Sequence, residues 1–129
     1  MEYLWLSLES VIAIHGELLY EHGGLPGPPH PGALEGALGR PRNLLAYGDP
    51  PPDLAQLAAS YAFGLARNHC FPDGNKRTAL AAIDVFLRMN GSTLIAGEME
   101  AVAVIEGVAR GEMSEERLAA WVRQLMAPI

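Results

Sequence analysis

The prolines decide where this chain can be helical. Eight of the ten lie between Pro26 and Pro52. Proline inside a helix removes a backbone hydrogen bond and clashes with the turn before it, so no single long helix spans this stretch. On either side the chain is rich in alanine and leucine at helical spacing. The Pro-rich stretch is too short to be a domain of its own and reads as a structured connector. A chain of 129 residues buries a core without metal or disulfide staples. The expectation is one all-α domain over residues 1–129, a bundle of about six helices with room for one small strand pair.

Caps and periodicity place the helices. Ser7 is the N-cap of the first, with Leu8, Val11, Ile12, His15, Leu18 and Leu19 on one face and Gly23-Gly24 at its end. A short helix fits Pro31 to Arg40, with Leu34, Ala37 and Leu38 inward. Asp53 caps a third helix, and Gln56 completes a variant capping box. A fourth runs from about Asn75 to Met89 and closes at Asn90-Gly91. Thr93-Leu94-Ile95 reads as a short strand beside Tyr3-Leu4-Trp5. A fifth helix covers about Glu98 to Arg110, and a sixth follows the N-cap Ser114.

Charge and cysteine content narrow the function. The net charge is −6, which excludes a general basic face for nucleic acid. One cysteine, Cys70, forbids an internal disulfide. The first residues carry no basic stretch of a signal peptide, and no apolar run approaches the ~20 residues of a membrane span. A soluble, cytoplasmic protein with no direct nucleic-acid or membrane partner is expected. Of the nine basic residues a single one is lysine, Lys76.

That lysine sits in the segment that carries chemistry, Asn68-His69-Cys70-Phe71-Pro72-Asp73-Gly74-Asn75-Lys76-Arg77-Thr78. Gly74 to Arg77 opens the fourth helix, where free N–H groups and the helix dipole favour an anion. Glycine admits a phosphate close to the backbone, and Lys76 and Arg77 add charge-assisted donors. Two cations at a helix N-terminus oppose the dipole. A solvated accident and a bound anion explain them equally on charge alone, and His69 and Asp73 alongside favour the anion. His69 suits a general base near neutral pH, and Asp73 suits Mg²⁺ held through one carboxylate. Taken singly, His69 as a helix cap and Asp73-Gly74 as a turn are the plainer readings. The spacing is neither a Walker A loop nor a zinc signature.

The string His69-x-Phe71-x-Asp73-Gly74-Asn75-Lys76-Arg77-Thr78 resembles the signature of the Fic/Doc superfamily, in its death-on-curing (Doc) toxin branch. Gly23 to Gly27, the segment from Pro31 to Arg40, Ala46-Tyr47, Tyr61 to Arg67 and Phe86 to Gly91 resemble that family in order and spacing. The resemblance implies a Fic fold, with His69 taking a proton from a target hydroxyl and Phe71 anchoring the loop. It implies that Asp73 holds Mg²⁺ and that Gly74, Asn75, Lys76 and Arg77 form the anion hole for ATP phosphates. Cys70 reads as a buried, inert thiol.

Two positions depart from the adenylylating Fic pattern, which has glycine where Lys76 stands and arginine where Leu80 stands. Doc-like proteins share both departures. The resemblance therefore implies a kinase toxin that moves the γ-phosphate of ATP to a hydroxyl of elongation factor Tu and halts translation. No inhibitory [ST]-x-x-x-E-[GN] helix is found, so a Phd-like antitoxin is the expected inhibitor. Two alternatives remain: Fic-type AMP transfer, and a non-catalytic module that binds nucleotide or antitoxin.

Outside the motif, His15 reads as a satisfied core residue, and His22 and His30 as solvated. Trp5 and Trp121 read as core. Arg67 reads as either a phosphate ligand or a partner of its helix dipole. The segment from Arg42 to Asp49 is expected, by analogy with the family's flap, to be the edge that docks a target peptide.

Overall fold

A computed structural model describes residues 2–129. Six helices follow in order: α1 (Leu8–His22), α2 (Ala33–Tyr47), α3 (Leu54–Arg67), α4 (Asn75–Met89), α5 (Glu98–Ala109) and α6 (Glu115–Leu125). Two short strands, β1 (Ser92–Leu94) and β2 (Met126–Pro128), form an antiparallel pair. The all-α expectation holds, and so does the strand pair.

The middle helix organises the rest. Asp53 caps α3 by accepting from the Gln56 N–H, and the Gln56 side chain accepts from the Asp53 N–H in return. Ten of its fourteen residues are buried, among them Ala55, Ala58, Ala59 and Ala62. Small side chains all round a helix let neighbours approach from every side. Accordingly α2, α4, α5 and α6 all pack on α3. Tyr61 sits at the centre of the core, edge-on to Phe86 and Trp5, and its hydroxyl accepts from the Leu6 N–H at 3.1 Å.

Three expectations are corrected. The second helix does not stop at Arg40 but continues through Pro41 to Tyr47. Pro41 is buried together with Leu34 and Ala37 on the inner face. Arg40, the residue that proline pushes away from helical geometry, is held by ion pairing to Glu115 and by its guanidinium over the Phe63 ring. Residues 42–47, in the segment expected by analogy to dock a target peptide, are therefore helix.

The second correction concerns the strand partner. β1 pairs with β2, Thr93 opposite Ala127, not with the segment from Tyr3 to Trp5. That segment is instead tied to the end of α4 through Asn90, which accepts from the Leu4 N–H and donates to the Leu4 carbonyl. The third is Ile12, which is exposed although it falls on the expected apolar face of α1.

Candidate active site

The motif residues occupy the turn between α3 and α4. Helix α3 ends at Arg67, and His69 takes the left-handed conformation with φ of 51°. That region is sparsely populated by non-glycine residues, though histidine tolerates it better than most. The side chain of His69 is exposed. Cys70 then turns inward. It is fully buried, its Sγ lies 3.5 Å from the Ala33 carbonyl, and burial pushes its thiol up to about 11. A thiol so shifted is not a nucleophile at neutral pH.

Phe71 follows it into the core. Its ring stacks on His15 of α1, with centroids 3.7 Å apart and planes 7° from parallel. The Asn75 side chain accepts from the Phe71 N–H and donates to the Phe71 carbonyl, both at 2.9 Å. The Asn75 amide is thus committed to the shape of the loop, and its main-chain N–H is what it can offer an anion.

His15 satisfies a second demand. Its Nε2 lies 2.8 Å from the Asp73 carbonyl, which only accepts, so Nε2 carries the proton. The expectation of a satisfied core histidine holds, and its partner is the motif itself. Gly74 then adopts φ of 80°, and a Cβ there would meet the His15 ring at 3.4 Å. The positive φ is what favours glycine there; the contact with the ring is an ordinary one.

Asp73 is exposed and anchored by main-chain donors. Leu25 N–H donates to Oδ2 at 2.9 Å and Gly74 N–H to Oδ1 at 2.8 Å. These two bonds, with Arg77 and His15 nearby, hold its carboxyl below the usual carboxylate range. Each oxygen keeps a lone pair free. Among the described residues no group of three or more His, Cys, Asp or Glu gathers to hold a metal. A lone ionised carboxylate instead fits Mg²⁺ that takes most of its ligands from substrate phosphates and water.

No side chain caps α4 at Gly74. The first N–H groups of the helix are therefore open to an anion. Lys76 and Arg77 stand exposed in that first turn, and neither forms an ion pair among the described residues. Leu80, one turn on, packs against the core. Arg67 lies apart from this group, with its guanidinium over the Phe63 ring and beside Gly111. Two clefts, of about 410 and 460 Å³, open beside α2 and α6 and include none of the motif residues.

His30 is exposed, as expected, but it is also bonded to the motif: its Nδ1 lies 2.6 Å from the His69 carbonyl and its N–H donates to the Cys70 carbonyl at 2.7 Å. The segment that carries it crosses the motif closely. A Cβ on Gly24 would meet Asp73 Oδ2 at 2.9 Å, and one on Gly27 would meet the Pro72 ring at 2.9 Å. The glycines and prolines between residues 23 and 32 were legible as a connector. That the connector lies over the motif was not.

A helical bundle that presents a histidine-to-arginine loop at an open helix N-terminus has known counterparts. A sequence model of the Fic/DOC family matches residues 5–87, from before α1 to near the end of α4. The chain is 38% identical over 120 residues to protein kinase doc of Escherichia phage P1, across 93% of this chain and 94% of that one. It is 42% identical over 85 residues to toxin Doc of Mycolicibacterium smegmatis, across 66% of this chain and 59% of that one. The chain belongs to the Fic/DOC family. Within that family it stands in the Doc branch, with a toxin function.

Proposed function

We propose that the protein transfers the γ-phosphate of ATP to a hydroxyl of a translation factor such as elongation factor Tu and so arrests translation. The observation that carries the reading is the open N-terminus of α4, with two exposed cations in its first turn and His69 exposed on the loop that leads into it. His69 takes the proton from the attacking hydroxyl. The hydroxyl oxygen bonds to the γ-phosphorus as the bond to the bridging oxygen breaks, and ADP leaves. The N–H groups of Asn75, Lys76 and Arg77, with the two cationic side chains, stabilise the charge on the transferred group. Asp73 would hold Mg²⁺, which neutralises phosphate charge when bound. Phe71, stacked on His15 and bonded to Asn75, keeps the loop in shape.

Lys76 and Leu80 favour γ- over α-phosphate transfer. An apolar Leu80 packed on the core cannot grip a phosphate at that position, and a lysine at 76 supplies a cation where AMP transfer would want bare backbone. The test is parallel incubation with elongation factor Tu and ATP labelled at the γ or the α position. Label from the γ position is expected. Transfer from the α position alone overturns the kinase reading in favour of AMP transfer. Lys76→Gly should lower γ-transfer roughly 10- to 100-fold, the range of one charge-assisted hydrogen bond. A Phd-like antitoxin, with a C-terminal segment that folds onto the toxin, is the proposed inhibitor.

A further inference from the structure

We infer that His30 is a positioning residue for His69, holding it in the left-handed conformation from which its ring meets the target hydroxyl. The inference rests on the reading of His69 as the base.

A residue at φ of 51° stays there only when its surroundings over-determine it. His69 is flanked by constraints that do so. On its C-terminal side, Cys70 is fully buried and Phe71 is pinned by Asn75 and stacked on His15. On the peptide that joins His69 to Cys70, the carbonyl of His69 accepts from His30 Nδ1 at 2.6 Å. The next carbonyl, that of Cys70, accepts from the His30 N–H. One residue of the connector therefore grips two successive carbonyls of the loop. Its own carbonyl accepts from the Ala33 N–H at 3.2 Å and roots the grip in the start of α2.

The imidazole is suited to this task. A carbonyl only accepts, so Nδ1 must carry a proton, and both the neutral Nδ1–H tautomer and the imidazolium do. The bond orients the peptide plane after His69, and that plane sets where the His69 side chain points. His30 itself is exposed, so replacing it opens no cavity. Its backbone bond to Cys70 survives any substitution other than proline. Loss of the side chain thus loosens His69 without unmaking the fold.

The experiment compares His30→Leu, His30→Asn and His69→Ala with the unaltered protein in γ-label transfer from ATP to elongation factor Tu. Asparagine can place an amide N–H where Nδ1–H lies, and leucine cannot. His30→Leu is expected to lower kcat roughly tenfold, what one hydrogen bond of ordinary net strength supplies. KM for ATP should stay within about twofold, because the anion site is untouched, and His30→Asn should restore most of the rate. A merely structural role predicts instead that kcat, KM and thermal midpoint move together and that asparagine does not rescue; that outcome overturns the inference. A His30→Leu protein with full kcat beside an inactive His69→Ala overturns it alone. Transfer that survives His69→Ala brings down the reading of the base, and the inference with it.

Discussion

Gly24 shows how little room the loop leaves. Its φ is 134°, and an added Cβ would lie 2.8 Å from Leu19 Cδ2 and 2.9 Å from Asp73 Oδ2. Gly24→Ala should displace the Asp73 carboxylate and weaken its bond to the Leu25 N–H. The expected result is a raised Mg²⁺ requirement for γ-label transfer, read from a Mg²⁺ titration, with the helical circular dichroism unchanged. His15 separates two contributions. In His15→Leu the part-buried Asp73 carbonyl loses its partner, which costs about 1 kcal/mol, the lower end of the range for an unpaired acceptor. His15→Gln retains a donor but loses the stack on Phe71. Urea midpoints should therefore fall in the order unaltered, Gln, Leu; a leucine variant as stable as the unaltered chain would show that the carbonyl finds another donor. These roles were half legible. His15 announced itself by lying on an apolar helix face, whereas His30 sat among prolines with no periodicity to read.

Helix ends were legible because their signals are local. Ser7, Asp53 and Ser114 each accept from the N–H three residues on, as a cap must. The failures came where a distant contact outweighed a local rule. Pro41 should end a helix, yet α2 runs on because Arg40 is held by Glu115 of α6 and Phe63 of α3. The contact between α2 and α3 is close. A Cβ on Gly64 would meet Arg40 Cδ at 2.8 Å and Ala37 Cα at 3.2 Å. Gly64 has helical backbone and gains nothing from glycine's freedom, so glycine is needed there for space. Gly64→Ala should destabilise by about 1–3 kcal/mol through overpacking, measured by thermal or urea unfolding. A stabilised variant would mean that Arg40 swings aside at no cost.

Acid stability belongs to the assembled molecule, because its carboxylates join distant elements. Asp53 accepts from Arg123 of α6, and that bond, opposed by burial and aided by the Gln56 N–H, lowers its pKa. At Asp84, burial raises the pKa, but the Leu94 N–H, Arg88 and Thr93 outweigh it and the net shift is downward. A carboxyl with a folded pKa below its unfolded one stabilises the fold above the ordinary carboxylate pKa, and that stability is lost as pH falls through the folded value. Stability should therefore be level near neutrality and decline below about pH 4. Asp53→Asn with Asp84→Asn should flatten that decline and cost about 1 kcal/mol per site at neutral pH, after allowance for solvent screening. An unchanged acid limb would place the titration elsewhere. What the residues alone established is whatever depends on near neighbours: helix starts, the motif and the chemistry its side chains permit. Only the tertiary structure decided that β2 and not the N-terminal segment pairs with β1, that α2 survives its proline, and that the connector grips His69 and Asp73. Those outcomes rest on contacts between residues far apart in sequence, and neither composition nor period encodes which distant partner a carbonyl or a strand edge will meet.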